Sequence, residues 1–152
     1  SFEDTMVRAG KSVAPGVSGV LTAAAAGYPF MVQLVGYYTW QSASRRGSDA
    51  VELLDAQKGI ATARKSFDNM VIEPALRRVS GRQFEYLAAM ARCGSGPVAS
   101  GDIAREMGVA PTSVSTYRRR LVDAALIEAP SYGMVSFAIP YMREYLIEHV
   151  RE

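Results

Sequence analysis

One cysteine, one histidine and one tryptophan are all that these 152 residues contain of the rarest types. Cys93 alone closes no internal disulfide, which excludes a disulfide-stapled scaffold. His149, the sole histidine, lies near the end of the sequence with no second imidazole to share a metal or a proton, and it reads as a surface residue. A long hydrophobic run is also missing. The least polar stretch, Val17 to Trp40, is broken by Ser18, Thr22, Gly27, Pro29, Gln33 and Gly36, whereas a bilayer asks for about 20 uninterrupted apolar residues. It reads as buried helix, and no basic-then-apolar leader precedes it, so the expectation is a cytoplasmic protein without a membrane span. Charge of one sign is scarce too. The net charge is +2, too small for a strong nonspecific grip on nucleic acid, so any such role must come from local clustering.

What is present is an ordinary globular composition, 49% hydrophobic and 21% charged, with strong punctuation. Gly10, Ala14-Pro15-Gly16 and Gly27-Tyr28-Pro29 cut the first third into short pieces. Ser18 to Ala26 is alanine-rich and helix-prone. Pro29 suits a helix start, and Phe30, Leu34, Tyr37, Tyr38 and Gln41 recur at helical spacing, which predicts a helix with an aromatic buried face. Trp40 and the tyrosines read as core. After Arg45-Arg46-Gly47, Ser48 or Asp49 is expected to cap a third helix with apolar positions Val51, Leu54, Ile60, Ala63 and Phe67. Residues 1–79 are thus expected to form an all-helical subdomain, ending in a connector over Met70 to Val79.

Residues 80–152 follow a different order. Ser80 and Gln83 form a capping box ahead of Phe84, Leu87, Ala88 and Ala91. Ser100 is expected to cap a short helix through Ile103, Ala104 and Met107 that stops at Gly108. Pro111 opens another through Val114, Tyr117, Leu121 and Val122. Strands over Leu126–Ala129 and Met134–Ala138, joined by Pro130-Ser131-Tyr132-Gly133, precede a last helix starting at Pro140. The predicted fold class is therefore mainly α: a helical subdomain followed by a winged helix-turn-helix with a small β-hairpin wing. Ala104 supplies the small residue and Gly108 the turn that a helix-turn-helix needs, and Val109 can plug the gap between its helices.

On the second helix of that motif, Thr112, Ser113, Ser115, Thr116 and Arg119 are left pointing outward. Serine and threonine hydroxyls bond bases or phosphates, and arginine forks onto guanine, so this face suits the major groove of double-stranded DNA. Arg118 and Arg120 flank it and suit phosphate, while Tyr132 at the wing can reach backbone or minor groove. The alternative is that the winged helix serves as a protein-docking or intramolecular regulatory module. From Ser80 onward acidic and basic residues balance, and a run such as Arg118-Arg119-Arg120 is commonly a solvated helix face. Its position on the motif is what sets it apart.

No catalytic constellation is legible. Gly10-Lys11-Ser12 looks like the tail of a phosphate-binding loop, but the motif's earlier glycine is replaced by Thr5 and Pro15 interrupts the helix that should follow. Cys93 beside its glycine-rich turn reads as a half-buried small residue, not a nucleophile. No metal site or paired-carboxylate spacing is found, and no catalytic residue is assigned.

The alanine-rich helix followed by Gly27-Tyr28-Pro29-Phe30-Met31-Val32-Gln33-Leu34-Val35-Gly36 resembles the lid region of bacterial AAA-type, STAND-like P-loop ATPases, in which a winged helix follows the lid. Pro74-Ala75-Leu76, Gly101-Asp102-Ile103-Ala104, Tyr117-Arg118-Arg119-Arg120-Leu121 and Val135-Ser136-Phe137-Ala138-Ile139-Pro140-Tyr141 are similar to the same family. The resemblance implies that Pro29 lies against the adenine of a bound nucleotide in the intact parent, which would use ATP and magnesium. It also implies that the missing ATPase core is a partner, that the parent can form homo-oligomers, and that lid movement couples nucleotide state to the DNA-binding face. The P-loop and acidic metal-binding strand are absent from this sequence. The chain then reads as the C-terminal part of such an ATPase, with no cofactor and no ATP hydrolysis of its own.

Overall fold

A computed structural model describes residues 1–150. Among these the chain is mainly helical with little sheet, and it divides into two compact units, Ser1–Met70 and Val71 onward. The first unit holds α1 (Phe2–Arg8), β1 (Ser12–Val13), α2 (Val17–Ala25), α3 (Pro29–Arg45), β2 (Ala50–Val51) and α4 (Leu53–Phe67). It is not all helical, because β1 and β2 pair in parallel, Ser12 with Ala50 and Val13 with Val51. A ladder this short leaves no period-two signature in the sequence.

The helices α3 and α4 pack with their backbones unusually close. A Cβ added at Gly59 would meet Thr39 Oγ1 and lie 2.7 Å from Thr39 Cα. This closeness selects which stripe of α3 turns inward. Met31, Val35, Thr39 and Ala43 are fully buried, whereas the expected aromatic stripe is not: Tyr37 is 57% exposed and Trp40 37%, and Phe30, Leu34, Tyr38 and Gln41 are half-buried. Tyrosine and tryptophan are too bulky for so narrow an interface. The start of α4 also differs from expectation. Its N-cap is Glu52, in a reciprocal capping box with Asp55, while the Ser48 hydroxyl accepts from the Ala50 N–H at 3.0 Å. Leu54 consequently lies on the exposed side, at 50%. Asp55 is 1% exposed and accepts from Ser42 Oγ at 2.8 Å, from Arg46 Nη2 at 2.6 Å and from the Glu52 N–H at 2.9 Å.

The expected connector is itself helical. A π turn over Asp68–Ile72 runs into α5 (Glu73–Arg77). The second unit continues with α6 (Gly81–Cys93), β3 (Val98–Ala99), α7 (Ser100–Met107), a 3-10 turn (Pro111–Ser113), α8 (Ser115–Asp123), β4 (Ile127–Ser131), β5 (Met134–Phe137) and α9 (Met142–His149). The Ser80–Gln83 capping box is present at the head of α6. Tyr86, Leu87, Ala89, Ile103, Leu121, Ile127 and Val135 are buried at 0–1%. The three strands are ordered β3-β5-β4, antiparallel throughout. Two expected helix starts shift. Pro111 opens only the 3-10 turn, and α9 begins at Met142 because Tyr141 takes a left-handed φ of +67°.

Candidate functional site

In the second unit, local backbone chemistry fixes α7 and α8. Gly108 adopts φ +72°, which lets the Val109 N–H reach back to the Ala104 carbonyl at 3.0 Å and ends α7 in a glycine C-cap. Beyond the turn, Val114 and Leu121 are 2% and 0% exposed and anchor the inner side of α8. Helical periodicity then turns Ser115, Thr116 and Arg119 outward, with Arg118 on one flank and Arg120 on the other. Thr112 and Ser113 are exposed on the 3-10 turn. One of these hydroxyls is already engaged, since Ser115 Oγ donates to the Thr112 carbonyl at 3.1 Å.

Five of the eight expected DNA-facing residues line two adjoining depressions. A cleft of about 610 Å³ between α8 and the β4–β5 hairpin is lined by Ser115, Arg118 and Tyr132 among others. A smaller one, about 360 Å³, brings Ser115 and Arg118 together with Thr116 and Arg119. Thr112, Ser113 and Arg120 line neither. Tyr132 is fully exposed at the hairpin tip, where Gly133 takes φ +72°. Pro29 belongs to the other unit, exposed as the first residue of α3.

Electrostatically this face is uneven in a way that the balanced count conceals. Elsewhere in the unit, Arg82 pairs with Glu85 at 2.7 Å, Arg92 with Glu106 at 2.7 Å and Arg105 with Asp102 at 2.8 Å. Such exposed pairs add little stability, but they neutralise those faces. Arg118, Arg119 and Arg120 make no ion pair among the described residues, and neither depression is lined by a carboxylate.

Sequence reasoning misses Ser100, which lines the cleft, and Tyr86 behind it on α6. Ser100, expected as a cap, is the first helical residue of α7, and its hydroxyl caps nothing; Ala99 is the N-cap. Tyr86 on α6 is fully buried. The Tyr86 phenol lies against the Ser100 hydroxyl, and no other hydrogen-bonding group meets either. The available signal was a tyrosine within an otherwise small, apolar stripe, because a buried phenol ordinarily finds a partner for its polar tip.

The other polar residues show no such convergence. Burial pushes the Cys93 thiol up, and Glu106 and Asp102 push it further against the opposing pull of Arg92 and Arg105. His149 stacks on Tyr145 at 4.0 Å. The Lys11 amine donates to the Ser48 carbonyl at 2.7 Å and sits 5.3 Å from the centre of the Trp40 ring. Among the described residues no group of three histidines, cysteines, aspartates or glutamates converges on a point, and no helix is long and apolar enough to cross a membrane.

Together these features define a mainly helical protein whose second unit presents an arginine-bearing helix beside a small antiparallel sheet. The chain belongs to the family of the domain of unknown function DUF8462, whose model matches residues 69–146, just over half of it. That match begins within two residues of the second unit's own start at Val71. No curated protein matches the chain.

Proposed function

We propose that the second unit is a winged helix-turn-helix that engages double-stranded DNA, with α8 entering the major groove and the β4–β5 hairpin acting as the wing. The observation that carries this reading is the concentration of uncompensated cation on α8. Among the described residues Arg118, Arg119 and Arg120 lack acidic partners, as do Arg77 and Arg78 at the end of α5 and Arg143 on α9, while Arg82, Arg92 and Arg105 have them; α8 alone sets three such arginines in a row beside exposed hydroxyls. The exposed hydroxyls of Thr112, Ser113 and Thr116 next to them, and Tyr132 on the hairpin, supply the remaining donors for phosphates and base edges. The order of α6, α7, turn, α8 and hairpin supports the same assignment.

For the first unit, the resemblance to the lid of AAA-type ATPases supports a role as a nucleotide-responsive lid in a larger protein. Pro29, exposed at the start of α3, is available to lie against adenine there, with ATP and magnesium held by the parent's core. The chain alone carries no machinery for hydrolysis in this reading.

The test is duplex binding by single variants. Arg119→Ala and Thr116→Ala are expected to weaken binding, the arginine change by roughly tenfold or more if it contacts a base bidentately, while His149→Gln leaves it unchanged. Equal effects at all three positions would remove the basis for assigning this face, and the docking alternative would then stand in its place.

A further inference from the structure

We infer that the first unit binds an uncharged aromatic small molecule, in a cavity of about 610 Å³ walled by Phe2 of α1 and by Tyr37 and Trp40 of α3. This inference rests on neither role proposed above. The cavity lies wholly within Ser1–Met70, and Pro29 does not line it.

The lining sets the chemistry of the occupant. None of its side chains carries a charge, and much of it comes from residues 12–44, a stretch without a single lysine, arginine, aspartate or glutamate. Its hydroxyls are already spent. Thr5 Oγ1 donates to the Ser1 carbonyl at 3.2 Å, Thr22 Oγ1 to the Ser18 carbonyl at 2.8 Å and Ser1 Oγ to Asp4 at 3.0 Å. That leaves the Gln33 amide and the Trp40 indole N–H as the polar side-chain groups of the lining that meet no partner among the described residues. An ion entering here would lose its hydration and gain no counter-charge. The cavity therefore selects a neutral, mostly apolar molecule with few hydrogen-bonding groups, and its volume is within the range of sites for small organic ligands.

The aromatic walls are held in place by residues outside the cavity. Lys11, fixed by its bond to the Ser48 carbonyl at 2.7 Å, sits 5.3 Å from the centre of the Trp40 ring. Gln41 Nε2 donates to Tyr37 Oη at 3.1 Å, and the Tyr38 ring meets that of Tyr37 edge-on at 5.1 Å. None of Lys11, Gln41 and Tyr38 lines the cavity. Phe2 lies against Gly36, where an added Cβ would come within 3.3 Å of its ring, so the absent side chain leaves room for the third wall. Rings that are exposed yet braced lose little freedom when a ligand stacks on them, and this pre-organisation favours binding. Three such rings around one opening suit a planar aromatic partner.

The test uses the full chain and N-phenyl-naphthylamine, a neutral aromatic probe with a single N–H whose fluorescence rises in apolar surroundings. Trp40 is the only tryptophan, so its emission reports on the cavity wall itself. Saturable probe fluorescence is expected, with Trp40 emission falling in step as energy passes to the bound probe. Val32→Glu places a carboxylate in the lining and is expected to weaken uptake about tenfold or more. Tyr37→Ser, which removes a wall, is expected to weaken it several-fold. Leu54→Glu, at an exposed apolar residue outside the cavity, is expected to leave it unchanged. All three positions are exposed, and helical circular dichroism checks that each variant folds. Competition needs no variant: naphthalene is expected to displace the probe, and its charged counterpart naphthoate to require about tenfold higher concentration.

The absence of saturable fluorescence, uptake unaffected by Val32→Glu, or equal loss in Val32→Glu and Leu54→Glu overturns the inference. Naphthoate competing as well as naphthalene overturns the neutral class of ligand. A wild type that takes up no probe and self-associates, and that Val32→Glu renders monomeric in sedimentation, overturns the inference in favour of a second copy covering the cavity. Each of these outcomes leaves the DNA reading as it stands.

Discussion

At the scale of the residue, Gly59 and Asp55 decide how the first unit packs. At Gly59 α4 lies against the Thr39 backbone of α3, and alanine there would push into Thr39. Gly59→Ala is expected to lower stability by about 1–3 kcal/mol despite alanine's better helix propensity, measured as a fall in the denaturant midpoint; an unchanged midpoint would mean that the helices are free to separate. Asp55 is buried beside Arg46. Burial pushes its carboxyl up, but hydrogen bonds from Arg46, the Glu52 N–H and Ser42, with the Arg46 charge, outweigh that and hold it below the usual value. A carboxyl depressed in the folded state contributes stability that is fully present above its unfolded pKa, about 4, and is lost as pH falls through the folded value. Wild-type stability should therefore drop on acidification below pH about 4 more steeply than that of Asp55→Asn, which has no charge to lose. Parallel curves in acid melts would assign the acid sensitivity elsewhere.

At the scale of the element, the sequence is most legible where chemistry is local. The Ser80–Gln83 capping box, the Gly108 helix end and the hairpin around Gly133 are each written in a few adjacent residues, and each is present. What escapes is set by partners distant in sequence. The stripe of α3 that faces inward is chosen by Gly59 across the interface, so Tyr37 and Trp40, which periodicity alone places inside, stay exposed. Strands β1, β2 and β3 each span two residues, too few to carry alternation. The candidate site divides the same way. Arg118, Arg119 and Tyr132 are visible from their place in the predicted motif, whereas Ser100 comes to line the cleft only because β3 ties the start of α7 to the hairpin. The hairpin offers a direct check on this element. Tyr132→Ala removes a fully exposed side chain and is expected to weaken duplex binding several-fold with a thermal midpoint unchanged. Gly133→Ala, at φ +72°, is expected instead to cost roughly 1–2 kcal/mol of stability. If the two variants behave alike in both assays, the hairpin has a structural role only.

At the scale of the whole molecule, net charge misleads and its distribution informs. The net charge of +2 describes a protein with no electrostatic preference, yet among the described residues no acid of the second unit pairs with an arginine of α8. Arg119 and Arg120 are exposed there and Arg118 is half-buried. Every proposed DNA contact lies in the unit that begins at Val71, the same part that the DUF8462 model matches. A fragment beginning at Val71 is therefore expected to bind duplex with about the affinity of the full chain; a large loss would assign part of the contact to the first unit.

The most direct test of the central claim is fluorescence anisotropy of the full chain against a labelled duplex pool at low and moderate salt, beside the chain with Arg118, Arg119 and Arg120 all replaced by glutamine. The account predicts binding that weakens steeply with salt, as release of counterions from several phosphates requires, and that is lost in the triple variant. Binding that is indifferent to salt, or that survives loss of all three arginines, would contradict it.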